Sequence, residues 1–83
     1  MTRLGDDAFD QARKAAGLSS SQLWMRYFGL GGMSGAVELE AMCHGAMIPT
    51  GLEHDLIAHA LNERFTELGR NHPVPYTEDR AGS

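Results

Sequence analysis

Apolar positions along this chain recur at helical spacing in four blocks, separated by glycine or proline. Ala8, Phe9, Ala12, Ala15 and Ala16 fall three and four residues apart. They share one side of a helix that Asp6 or Asp7 can cap and Gly17 can stop. Ser19 and Gln22 stand at the spacing of a capping box, in which each side chain bonds the backbone N–H of the other. Leu23, Trp24, Tyr27 and Phe28 then cluster on one side of the helix this box opens, with Met25 and Arg26 turned away. Gly29, Gly31 and Gly32 break that helix, and Ser34 is placed to cap a third. The third helix carries Ala36, Leu39, Met42, Cys43 and Ala46 inward and Val37, Glu38, Glu40, Ala41 and His44 outward, with Gly45 near its end.

Thr50-Gly-Leu-Glu53 repeats the capping-box spacing directly after Pro49 and opens the longest periodic run. Leu52, Leu56, Ile57, Ala60, Leu61, Phe65 and Leu68 form its stripe, and Gly69 follows as the stop. Arg64 falls inside the stripe by angle, which predicts a stem laid over the core and a guanidinium at the rim, against an acid. The prolines of Asn71-His-Pro-Val-Pro-Tyr76 block further helix, leaving Val74 and Tyr76 to tuck against the bundle. No stretch alternates with period two, so the predicted fold is all-α, a compact bundle of four to five short helices. Residues 1–5 read as a lead, 6–69 as a single helical domain, and 70–83 as an extended, proline-containing, partly disordered tail.

The order of these signals resembles a known family. Ala-Arg-Lys-Ala-Ala-Gly-Leu-Ser at 12–19, Gln22-Leu23, Gly45 with Pro49-Thr50 beyond it, and Ile57-Ala58-His59-Ala60-Leu61 occur in sequence. Together they are similar to the lambda-repressor-like (Xre-type) helix-turn-helix domain, over residues 8–65. The resemblance implies a helix-turn-helix arrangement with segment 34–44 in the place of the recognition helix, and a role in transcriptional regulation. Two departures sit beside that segment. Trp24 stands where the family has a small residue after the leucine, and the turn from Phe28 to Met33 is longer.

Charge changes the functional expectation. The 83 residues carry a net charge of −4, and from Tyr27 to Glu63 there is no Lys or Arg, while Glu38, Glu40, Glu53, Asp55 and Glu63 fall in that stretch. The recognition segment therefore offers no Lys, Arg, Asn or Gln to a base edge or phosphate, and counterion release needs several cations on one face. The first functional expectation is a non-catalytic regulatory module acting through protein–protein contact, with a protein partner or self-association. Met25, Met33, Val37 and Ala41 are its exposed apolar candidates, bordered by Glu38 and Glu40. The alternative is a sequence-specific DNA-binding regulator, in which Arg13, Lys14 and Arg26 contact phosphate with Ser20 and Gln22 assisting; the acidic segment disfavours it.

Other constellations predict no further chemistry. Asp55, His59 and Glu63 line one stripe of the last helix, but on the side opposite its apolar stripe, where a solvated polar row is the ordinary outcome. The lone Cys43 reads as a small apolar side chain facing the core, and it excludes an intramolecular disulfide. The glycines at 29, 31 and 32 lack the Gly-Lys-Ser or Gly-Lys-Thr of a phosphate loop. No catalytic residue, metal site or cofactor is expected. With no signal-peptide or bilayer-length apolar run, the expected location is cytoplasmic, away from membranes.

Overall fold

The first backbone N–H groups of a helix have no partner within it, so what replaces that partner decides where each helix starts. In the computed structural model, which describes residues 8–70 and Val74, side chains set two of these starts as the sequence predicts. Ser19 Oγ accepts Gln22 N–H at 3.1 Å and Gln22 Oε1 accepts Ser19 N–H at 2.8 Å. Thr50 and Glu53 exchange the same pair of bonds, both at 3.1 Å. The helices that result are α1 (Ala8–Ala15), α2 (Ser20–Gly29), α3 (Ala36–Cys43) and α4 (Gly51–Glu67), and the described residues contain no strand. The fold is thus all-α, with α3 and α4 each packed against both α1 and α2.

The core forms where these four meet. Leu23 and Tyr27 of α2, Leu39, Met42 and Cys43 of α3, and Ile57, Leu61 and Phe65 of α4 are all buried, together with Phe9, Ala16 and Leu18 around α1. Burying a side chain of this size removes its apolar area from water and is worth about 1.5–3 kcal/mol each. The end of α1 is closed by cations from distant positions. Gly17 turns the chain at φ +72°, Arg64 Nε donates to Ala16 O at 3.0 Å, and Arg70 Nη1 donates to Ala15 O at 3.4 Å. Arg64 accordingly lies along the core with its guanidinium at the rim, where Nη1 also reaches Glu67 Oε1 at 3.3 Å.

Several inward assignments are corrected by the packing. The cap of α3 is Gly35 rather than Ser34, and it makes half of a capping box: Gly35 N–H donates to Glu38 Oε1 at 2.7 Å. Ala36 and Ala46 are exposed, because α3 is only eight residues long and neither position reaches the α1–α2 surface it packs on. Ala8 and Ala15 are exposed as well, leaving Phe9 and Ala16 to anchor that helix. Phe28 and Leu52 stand more than half exposed, and Leu68 is exposed at the end of α4. Trp24 is half-buried, stacked on Phe28 with ring centroids 5.1 Å apart.

The buried arc of α4 is also wider than its apolar stripe, because Ala58 and Asn62 are enclosed too. Asn62 is buried because it serves the tail. Its Nδ2 donates to Val74 O at 2.8 Å and its Oδ1 accepts Val74 N–H at 3.1 Å, so a buried amide meets a buried peptide group with both needs met. Val74 itself is buried, as its apolar side chain predicts. Asp6, Asp7, Tyr76, the 1–5 lead and the rest of the 70–83 tail beyond Arg70 and Val74 lie outside the described residues.

Between α2 and α3 the backbone of Gly32 passes directly over the ring of Tyr27, which is fully enclosed. A methyl group on Gly32 would collide with that ring, whereas one on Gly29 meets no atom within 4 Å. Gly32→Ala is therefore expected to lower stability by about 1–3 kcal/mol. Gly29→Ala, in a helical conformation, is expected to raise it by about 0.4–1 kcal/mol. Urea unfolding midpoints of the two variants check both signs.

Candidate interaction surface

Ser34 stands just before α3 and uses all three of its polar groups. Its N–H donates to the Tyr27 hydroxyl at 3.0 Å, its carbonyl accepts Trp24 Nε1–H at 3.0 Å, and its hydroxyl donates to Glu53 Oε2 at 2.7 Å. Two bonds fix the segment to α2 and the third to the first turn of α4. Bulky Trp24 thus holds the approach to α3. The Ser34 hydroxyl and then the Thr50 backbone N–H favour the ionised form of Glu53, and with the Thr50 hydroxyl they outweigh burial and lower its pKa.

The link from α3 to α4 runs back along α3. It begins against the C-terminal end of that helix, where Ala46 and Met47 N–H donate to Ala41 O at 2.8 and 3.2 Å. It ends where Glu53 meets Ser34, beside the start of α3. Between residues 33 and 52 five large apolar side chains stand at the surface: Met33 is 95% exposed, Val37 79%, Met47 43%, Ile48 93% and Leu52 71%. Isolated exposed leucines are ordinary, but here Met33 and Leu52 neighbour the bonded pair Ser34–Glu53 and Val37 follows one turn on, so exposed apolar side chains concentrate near the start of α3. Glu38 and Glu40 fall about 80° to either side of the Val37–Ala41 row on a regular helix. Both are exposed; Glu38 is held by Gly35 N–H, and Glu40 lies 4.0 Å from His44.

Of the partner-facing residues read from the sequence, Met33, Val37, Glu38 and half-buried Ala41 come together on α3 and its approach. Met25 is exposed on α2, about 100° round that helix from Trp24, and belongs to a different element. Ile48 and Leu52 complete the surface without a sequence signal that marks them. Leu52 fits the apolar period of α4 but sits in its first turn, ahead of the packed part, and Ile48 lies in no periodic element at all.

The cations proposed for phosphate contact are already engaged. Arg13 bonds Asp10 through Nε and Nη2 at 3.1 and 2.8 Å and Leu18 O through Nη1 at 2.7 Å. Lys14 lies 3.4 Å from the other Asp10 oxygen. Arg26 forms a two-pronged pair with Glu67, both contacts at 2.9 Å, with Glu63 at 3.8 Å. Gln22 is spent in the α2 cap, and Ser20 is half-buried. Every Lys and Arg among the described residues is thus held by a carboxylate or carbonyl of this chain, on or beside α1, α2 and α4.

Asp10, Arg13, Ser20, Cys43 and His44 border a crevice of about 10 Å³, the space of one water molecule. Burial first, then the charge of Asp10, pushes the Cys43 thiol up to about 11, so it stays protonated and unreactive at neutral pH. Burial would raise the pKa of Asp10, but the hydrogen bond and charge of Arg13, with Lys14 and His44, reverse that and lower it. On α4, His59 Nε2 lies 3.7 Å from Glu63 Oε2. Among the described residues no three of His, Cys, Asp and Glu stand close enough to hold a metal ion, and no helix is long and apolar enough to cross a membrane. Compared with family models, curated proteins and solved structures, the chain matches none.

Both Glu53 and Asp10 have lowered pKa values in the folded protein, so the unfolded chain takes up their protons first. Their contribution to stability is complete above the unfolded carboxylate range, about 4, and is lost as pH falls through the lower folded values. The urea midpoint is expected to hold from neutral pH down to that range and then drop. Glu53→Gln, which keeps an acceptor for Thr50 but no titrating charge, is expected to make the drop shallower. Unfolding curves at a series of acidic pH values check this.

Proposed function

We propose that this chain is a non-catalytic helical module that acts through protein–protein contact in transcriptional regulation, with a helix-turn-helix arrangement whose third helix meets a protein instead of DNA. One observation carries the proposal: Met33, Val37, Ile48 and Leu52 are all exposed in a segment that also exposes Glu38 and Glu40 and contains no Lys or Arg. A helix entering the major groove needs cations around it to neutralise phosphates, and here the side chains of α3 would bring carboxylates to that boundary.

The engagement of Arg13, Lys14 and Arg26 supports the same conclusion. Phosphate contact by Arg26 would break its two-pronged pair with Glu67, and contact by Arg13 would strip buried Asp10 of its main partner. Leaving a buried carboxylate without its cation is costly, about 3–5 kcal/mol for a fully buried pair.

The test is capture of partners by the tagged chain from cells that make it, compared with Val37→Arg and Glu38→Arg. Both variants are expected to keep native helicity by circular dichroism and to lose the partners of the unaltered chain; retention of every partner by both would overturn the proposal. A mobility shift on DNA from its own promoter is expected to show no complex even at low salt. A salt-dependent complex would return the function to DNA binding.

A further inference from the structure

The face around α3 is one-sided in charge as well as apolar. Because Lys and Arg are absent from residue 27 to 63, the approach to α3, the helix, the link after it and the first three turns of α4 contribute carboxylates and no counter-charge of their own beyond histidine. Three of those carboxylates have fixed or paired positions near the exposed apolar groups. Glu38 is held by Gly35 N–H and Glu53 by Ser34 and Thr50, while Glu40, on the other flank of Val37 and Ala41, lies 4.0 Å from His44 where α3 borders the crevice. The nearest cations in sequence, Arg26 and Arg64, both turn to Glu67.

That combination selects among possible occupants. A second copy of the chain would set Glu38 and Glu40 against the same residues, in a molecule that is already −4 overall, and like charges across an apolar contact discriminate against it. The chain's own residues 75–83 bring Glu78 and Asp79 against a single Arg80, so they do not supply the missing charge either. An apolar ligand would need a cavity, and the crevice that α3 borders, between Asp10, Leu39, Glu40 and Cys43, has room for about one water and is not lined by Met33, Val37, Ile48 or Leu52. What fits is an apolar stripe flanked by cations. Val37 and Ala41, four residues apart with acids on both flanks, present the half-seam that a second helix covers when its flanking Lys and Arg pair across the contact.

We propose that this face docks a cationic amphipathic helix of another protein, whose apolar stripe covers Met33, Val37, Ile48 and Leu52 and whose Lys and Arg meet Glu38, Glu40 and Glu53. This partner class presupposes the protein-contact function proposed above and adds the chemistry of what is bound. Ala41 gives the docking helix room to approach closely, and Met33 lets the contact adapt to different apolar side chains.

The probe is a fluorescently labelled Leu/Lys peptide with leucines at helical spacing, of about 16 residues and so about 24 Å when helical. It is titrated with the full chain by anisotropy, beside a Leu/Glu peptide with the same leucines. The Lys peptide alone is expected to bind saturably, and to weaken as salt rises. Its affinity is expected to fall at least about tenfold in Glu38→Gln/Glu40→Gln, and again in Val37→Ser/Leu52→Ser. Gln at position 38 keeps an acceptor for Gly35 N–H, so loss of binding there reports charge rather than a lost helix cap. Equal binding of both peptides, or Lys-peptide binding unchanged in both double variants, would overturn the proposal. So would a dimer of the unaltered chain in sedimentation that Val37→Arg dissolves, since the occupant would then be a second copy. If the Lys peptide does not bind while Val37→Arg still releases the partners captured from cells, the partner class alone falls. If Val37→Arg releases none of them, the protein-contact function falls with it.

Discussion

The structure depends on the clasp between Tyr27 and the segment 32–34. A fully enclosed phenol ring fills the space under the backbone of Gly32, and its hydroxyl accepts the N–H of Ser34. A buried tyrosine oxygen needs a partner, and meeting that need fixes where the chain stands when α3 begins. Ser34 then passes the constraint on, through Trp24 to α2 and through Glu53 to α4. The start of α3, the start of α4 and the last turns of α2 are therefore one linked unit. The exposed apolar groups Met33 and Leu52 border that unit, so their placement follows from the clasp.

Charge is partitioned by the same fold. Arginines close helix ends and tie elements together: Arg64 and Arg70 take carbonyls at the end of α1, Arg13 takes Leu18 O, and Arg26 pins α2 to α4 through Glu67. Three of these bonds join residues far apart in sequence, up to 55 positions in the case of Arg70 and Ala15. They use up positive charge that a nucleic-acid-binding surface would have to display. Around α3, Glu38 and Glu40 stay exposed next to uncovered apolar groups. A modest net charge thus becomes a directional one, and direction is what a docking partner senses.

Much of the fold is legible in the sequence because it rests on local rules. Ser19 with Gln22 and Thr50 with Glu53 cap helices through partners three residues away, and nothing distant has to cooperate. Gly17 and Gly69 end α1 and α4 at positive φ for equally local reasons. The site is less legible. Met33, Val37, Glu38 and Ala41 stand out from the helical period and the acidic stretch, while Phe28 and Leu52 follow the period of buried residues and are exposed nonetheless. A helical wheel gives the angle of a side chain but not whether another element covers that part of the helix. Ser34 looks like a cap by residue type, yet its hydroxyl goes to Glu53, a bond between residues 19 apart that no local pattern specifies.

The sequence by itself determined the all-helical fold, most helix ends, the core residues Leu23, Tyr27, Leu39, Ile57, Leu61 and Phe65, and the absence of cations from the α3 region. These follow from nearest-neighbour hydrogen bonding, period and composition, which need no knowledge of long-range contacts. Only the tertiary structure decided that Asn62 is buried to hold Val74, that Arg13 and Arg26 are occupied within the chain, and that the start of α4 returns to Ser34 through Glu53 with Ile48 and Leu52 left exposed. Each of those depends on which surfaces meet in space. A side chain's partner across a bundle is set by the packing of whole helices, and that packing is a property of the entire chain.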